Sequence, residues 1–125
     1  MIRLQLIIGI LLSGLSLVIS ALFEHKIKFN MHSQAITAIY QALIVQMIYG
    51  LFIVTICLIN QSNKFKWLGL LCWGFISGVL VFSFGIYIKY IFLVPSFGFI
   101  IPYGGSILIT TWICFLLIAV LQKKI

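Results

Sequence analysis

Four stretches of this chain, at 4–23, 35–59, 67–90 and 102–121, run for twenty residues or more with hardly a charge inside them. That pattern constrains the fold more than any motif does. At 1.5 Å of rise per residue, twenty helical residues span about 30 Å, the thickness of a bilayer's hydrocarbon core. In that medium each backbone N–H and C=O must be satisfied within the segment, and a helix does this. The chain has 125 residues, of which 64% are hydrophobic and 7% charged. Its mean hydropathy is +1.30. So little polar surface does not clothe a water-soluble globule of this size. The expected fold class is all-α, an integral membrane four-helix bundle forming one domain over 1–125, with short connections and no soluble domain.

The boundaries follow from local chemistry. Arg3 precedes the first run, and Glu24-His25-Lys26 closes it. The run is longer than a signal-peptide core and no A-x-A site ends it, so a retained span is expected. The second run carries Gln41, Gln46, Tyr40 and Tyr49 and stops at Asn60-Gln61-Ser62-Asn63-Lys64, which reads as a loop. Lys66 and Trp67 open the third run and Lys89 lies near its end, the basic and aromatic anchors of membrane interfaces. Residues 91–101 are apolar but broken by Pro95, Ser96 and Gly98, so they read as a turn at the interface. Pro102 suits the first turn of the fourth helix, and Gln122-Lys123-Lys124 ends it.

A formal charge of +7, with Glu24 the single acid, raises the question of nucleic acid as a partner. The basic residues stand in ones and twos beside apolar runs rather than in a solvated patch, so they are headgroup anchors and nucleic acid is excluded. Arg3, Lys64, Lys66, Lys123 and Lys124 fall on one side, against Lys26, Lys28 and Lys89 on the other. The excess places both termini in the cytoplasm.

Helices in lipid associate by close packing and interhelical hydrogen bonds, so stripes of small residues mark their contacts. The first helix has Gly9, Ser13, Ser16 and Ser20 on one face, and the third has Gly74, Gly78 and Gly85. Ala38, Ala42, Gln46 and Gly50 recur at four-residue steps in the second, which turns Gln46 toward protein, with the serines of the first helix as its expected partners. Gly78→Leu is accordingly expected to disrupt the bundle more than Val79→Leu.

Ionisable residues in mid-span, the mark of coupled pumps, are missing from all four runs. Glu24, His25, Lys26 and His32 form the one titratable cluster, in the first connection. A solvated interfacial loop is its expected meaning, with lipid headgroup binding next. Glu24 and Lys28 suit an i, i+4 pair if the helix reaches them. Two histidines without a nearby cysteine do not complete a zinc site. Cys57, Cys72 and Cys114 lack ligand or disulfide spacing and read as small apolar residues. Gly104-Gly105 is no phosphate loop, since no G-K-[ST] follows. No cofactor, metal or catalytic residue is indicated, and membrane lipids, another membrane protein or a second copy of the chain are the expected partners.

Several segments together carry a family resemblance. Gly78-Val79-Leu80-Val81-Phe82-Ser83 with Tyr87 is similar to a G-x-x-x-F-S-G-S-x-Y segment. Pro102, Gly104 and Gly105 are similar to P-x-G-G, and Trp112 to a following G-W. Thr37-Ala38-Ile39-Tyr40-Gln41-Ala42 resembles T-A-x-x-Y-Q, and Phe23 with His25 resembles F-G-A-H. In these segments the chain resembles the YgdD/YwdK-like family of small, uncharacterised bacterial inner-membrane proteins. Ile44 stands where that family commonly has His, Phe84 and Gly85 replace its G-S pair, and Thr111 replaces the Gly before Trp. The resemblance implies four spans in a bacterial plasma membrane and no established activity.

Two functional expectations follow from the residues. The first is a non-enzymatic component that packs against lipid or another membrane complex. The second is a passive pore or carrier for a small solute, lined by Gln41, Gln46, Ser13 and Ser16. An enzyme ranks third and would need His25 or Glu24.

Overall fold

A computed structural model describes residues 2–62 and 64–122. Asn63 of the expected loop, and Lys123 and Lys124 of the expected carboxyl-terminal anchor, lie outside the described residues. The α-helices are α1 (Ile2–Leu22), α2 (Ser33–Ile59), α3 (Lys66–Val79), α4 (Gly85–Tyr90) and α5 (Ile101–Leu121). Together with the tighter and wider turns that extend them, they make four helical segments long and apolar enough to cross a membrane: Ile2–Asn30, Ser33–Ile59, Lys66–Tyr90 and Pro95–Leu121. No strand occurs among the described residues. The protein is an all-α four-helix bundle.

Two features depart from a reading of uninterrupted runs. After Leu22 the helical path continues as a π turn, Phe23–Ile27, and a 3-10 turn, Lys28–Asn30, so the first segment overshoots Phe23. The third run is divided by a second π turn, Leu80–Phe84, between α3 and α4. A π turn inserts an extra residue into an α-helix and shifts the face presented beyond it. Here Phe82 turns toward α5, where it abuts Gly104, while Ser83 turns toward α2 and donates to the Ala42 carbonyl at 2.9 Å.

Sequential neighbours pack antiparallel. Gly9 meets Gly50 and Ile53, and Leu12 meets Gln46. Cys57 lies beside Cys72, and Gln46 beside Tyr87. Gly74 faces Thr111, Gly78 faces Leu108, and Gly85 faces Ile101. At Gly50 an added Cβ would strike the Ser13 side chain and its backbone nitrogen, so α1 and α2 approach as closely as they do because Gly50 has no side chain. Val79, expected to be the less sensitive of the two positions to leucine, is itself fully buried. The period of an α-helix puts it next to the Gly78 face, and the outward neighbour is Leu80.

Apolar burial falls into two clusters. One gathers Leu12, Ile53, Cys57, Cys72, Phe75 and Val79. The other gathers Phe23, Ile39, Ala42, Leu43, Ile86 and Tyr87. The outer faces of α1 and α5 expose Leu4, Ile10, Leu17, Ile109, Leu116 and Val120. In water those faces would form a large unstable patch; in lipid they are simply solvated.

The turn between α2 and α3 is held by one side chain. Asn60 is only 2% exposed, its Nδ2 donates to the Phe65 carbonyl at 2.9 Å, and its Oδ1 accepts from the Phe65 N–H at 3.0 Å. Asn60→Ala leaves the Phe65 N–H without its acceptor and the Phe65 carbonyl with the Leu68 N–H alone, at 3.2 Å, and should cost about 1–2 kcal/mol. A thermal unfolding midpoint in detergent unchanged from wild type would refute that role.

Candidate functional site

Polar side chains inside a membrane bundle are costly unless paired, so their partners show where the fold has invested. Gln46 on α2 is 0% exposed. Its Nε2 donates to the Leu12 carbonyl on α1 at 2.9 Å, and its Oε1 accepts from the Tyr87 hydroxyl on α4 at 2.6 Å. One amide therefore ties three helices. Its partners are not the serines of the first helix. Ser16 instead donates to the Ser13 carbonyl within its own helix at 2.6 Å, and Ser13 Oγ is buried against Gly50 without a hydrogen bond.

One helical turn along, Ser83 bonds the Ala42 carbonyl, so Gln46, Tyr87 and Ser83 form a continuous polar seam. Gln5, buried on α1, extends polar bridging toward the termini by donating to the Gly69 carbonyl at 2.9 Å. Sequence reasoning passed over Gln5, although a lone amide in an apolar run is a signal in its own right. The partnership of Gln46 with Tyr87 had no such local signal, because 41 residues separate the two.

A second polar group lies at the end of the bundle away from the termini. The continuation of α1 brings Glu24 beside Lys28, whose Nζ donates to Oε2 at 2.7 Å. The Tyr40 hydroxyl donates to the other oxygen, Oε1, while the Tyr40 ring meets Phe23 edge-on with centroids 5.3 Å apart. His25, Lys26 and His32 are exposed. Among the described residues no cluster of His, Cys, Asp or Glu is arranged to hold a metal ion.

The remaining positions singled out in the sequence are distributed as follows. Gln41 is exposed and faces an outer cleft with Ser33, Gln34, Thr37 and Tyr90, apart from Gln46. Ser20 borders a small outer cleft with Ser16 and Tyr40. At Gly104 an added Cβ would strike the Phe82 backbone, whereas Gly105 has the Phe82 ring edge at 3.9 Å and room to spare. Pro102 is exposed in the first turn of α5 and accepts a hydrogen bond from Ser106 at its carbonyl, 2.8 Å away. Trp112 stacks on Phe52 and donates from Nε1 to the Tyr49 hydroxyl at 2.5 Å. Cys57 and Cys72 place their sulfurs 4.0 Å apart in the core, a proximity that their spacing did not reveal, while Cys114 is exposed.

Four apolar crossing helices, joined by short turns and cross-linked by a few buried polar side chains, define a small multi-pass membrane protein. Residues 19–105 match a family described as "Protein of unknown function (DUF423)", and the chain belongs to that family. The matched region takes in the Glu24 cluster, the Gln46–Tyr87 seam and the Gly104 contact; Trp112 lies beyond it. Among curated proteins and solved structures, none matches.

Proposed function

We propose that this protein is a non-enzymatic accessory component of a bacterial plasma membrane, kin to the YgdD/YwdK-like proteins, that acts through contacts with lipid or with a neighbouring membrane protein. Both termini are assigned to the cytoplasm from the distribution of Lys and Arg. The observation that carries the reading is that the bundle's central amide and its neighbours, Ser13 Oγ apart, are closed on protein groups: Gln46 spends its amide on Leu12 and Tyr87, and Ser83 its hydroxyl on Ala42. A solute path needs polar atoms turned toward a lumen, where they replace hydration. The side chains that would line such a path do not share one, since Gln41 faces an outer cleft and Ser16 bonds its own helix.

Reconstitution tests the reading. Vesicles carrying the purified protein should be no more permeable than empty vesicles to small neutral solutes and small anions. A flux above that of empty vesicles, abolished by Gln46→Leu, would replace the accessory reading with a pore or carrier.

A further inference from the structure

We propose that a cleft at the end of the bundle distal to the termini binds the anionic headgroup of a membrane phospholipid, with Lys89 as its cation. The proposal deepens the accessory reading by naming lipid as the contact, and in that sense rests on it. The cleft holds about 460 Å³, and its lining includes Met31, His32, Ala35, Lys89, Tyr90 and Leu93. Such a volume lies within the ~300–1,000 Å³ typical of small-ligand sites. Its walls are mainly apolar, with Lys89, His32, Asn30 and Tyr90 the lining residues that carry polar groups, the composition expected for a ligand with an acyl part and an anionic head.

Charge supplies the argument for the occupant. Lys89 lies with its Nζ 4.8 Å from the centre of the Tyr90 ring and folds back over Gly98, where an added Cβ would sit 3.2 Å from that nitrogen. The one acidic side chain in the sequence, Glu24, is already bonded to Lys28 and Tyr40. A cation beside an apolar cleft thus has no carboxylate side chain left in this chain to meet, and its counter-charge comes from outside. Phosphodiester headgroups are the anions at the depth where a helix leaves the hydrocarbon, and a lysine near a helix end reaches them by extending its chain along the apolar surface.

The rim is suited to that depth. Phe29, Phe92 and Phe99 are exposed around this end, the belt position of aromatic residues. Leu93, 78% exposed, holds a left-handed backbone with φ 58° in the loop after α4, a conformation that glycine adopts more readily. The Val94 N–H closes that turn on the Ile88 carbonyl at 3.2 Å. A leucine kept there against a steric penalty places an apolar side chain at the mouth of the cleft, where lipid tails would receive it.

The test is thermal unfolding of the purified protein in neutral detergent, with phosphatidylglycerol, phosphatidylcholine or sodium phosphate added. Phosphatidylglycerol at ten times its dissociation constant should raise the midpoint by about 5 °C. Phosphatidylcholine and sodium phosphate should leave it unchanged. Lys89→Gln should lose the response, Lys89→Arg should keep it, and Lys26→Gln, which removes a charge from the same end outside the cleft, should respond as wild type does. Should Lys89→Gln fail to fold, Gly98→Leu, which crowds the lysine tail from the opposite side, should blunt the response instead. A full response in Lys89→Gln or Gly98→Leu, or an equal loss in Lys26→Gln, would overturn the site. So would equal shifts from phosphatidylcholine, while a full shift from sodium phosphate alone would make it a soluble-oxyanion site. These outcomes are separate from vesicle permeability, which judges the accessory reading by itself.

Discussion

Gly104→Ala is expected to destabilise the bundle by about 2–3 kcal/mol, whereas Gly105→Ala, one residue on, should leave it within about 0.5 kcal/mol of wild type or slightly more stable. Both exchanges gain helix propensity, worth up to ~1 kcal/mol for alanine over glycine. They differ in what the new methyl meets. At Gly104 it would lie 2.7 Å from the Phe82 Cα and 2.8 Å from its Cβ, close to backbone that cannot swing aside. At Gly105 the nearest neighbour is the Phe82 ring at an ordinary 3.9 Å. Relief at Gly104 requires α5 to retreat from the π turn, and this would also loosen the Gly78–Leu108 contact further along the same interface. Denaturant titration in detergent micelles compares the pair directly. Matching curves for the two variants would show that α5 does not approach Phe82 in this way.

The second large effect is expected in the polar seam. Gln46→Leu leaves the Tyr87 hydroxyl in the core with no acceptor, at a cost of about 1–3 kcal/mol. Tyr87→Phe leaves the Gln46 Oε1 equally stranded. The double variant removes both halves of the bond, so its loss should be smaller than the sum of the single losses by about 1 kcal/mol. Hydrogen bonds between membrane helices average only ~0.6 kcal/mol net, so the orphaned group contributes more to each single variant than the bond contributes to wild type. Strict additivity in the double-mutant cycle would show that the two side chains do not meet. Because Gln46 also holds Leu12, a part of its loss should persist in the Tyr87→Phe background.

How much of this was readable from residues alone depended on the range of the interaction. The four crossing segments came from apolar runs and the turn at Asn60-Gln61-Ser62 from a polar one, both local properties. Helical spacing gathered Gly74 and Gly78 onto one face, but α5 as the helix they meet is a matter of tertiary register. The π turn at Leu80–Phe84 left no trace, because an extra residue inside a uniformly apolar run alters no pattern of hydrophobicity. Gln46 stood out as an amide among aliphatics; its acceptor and donor partners did not, since each depends on how three helices come together. Glu24 and Lys28 were close enough in sequence for their pairing to be anticipated, whereas Tyr40 joined them only through the fold.

The widened turn at Leu80–Phe84 has a mechanical corollary. Straightening it into an ordinary α-helical repeat without removing a residue would swivel everything downstream by about 90°. Tyr87 would then swing out of reach of Gln46, and Lys89 would be carried off the cleft. Losing one residue as the turn becomes α-helical would instead keep the later faces close to where they are, so this is the one place in the segment where the bundle accommodates a chain one residue shorter.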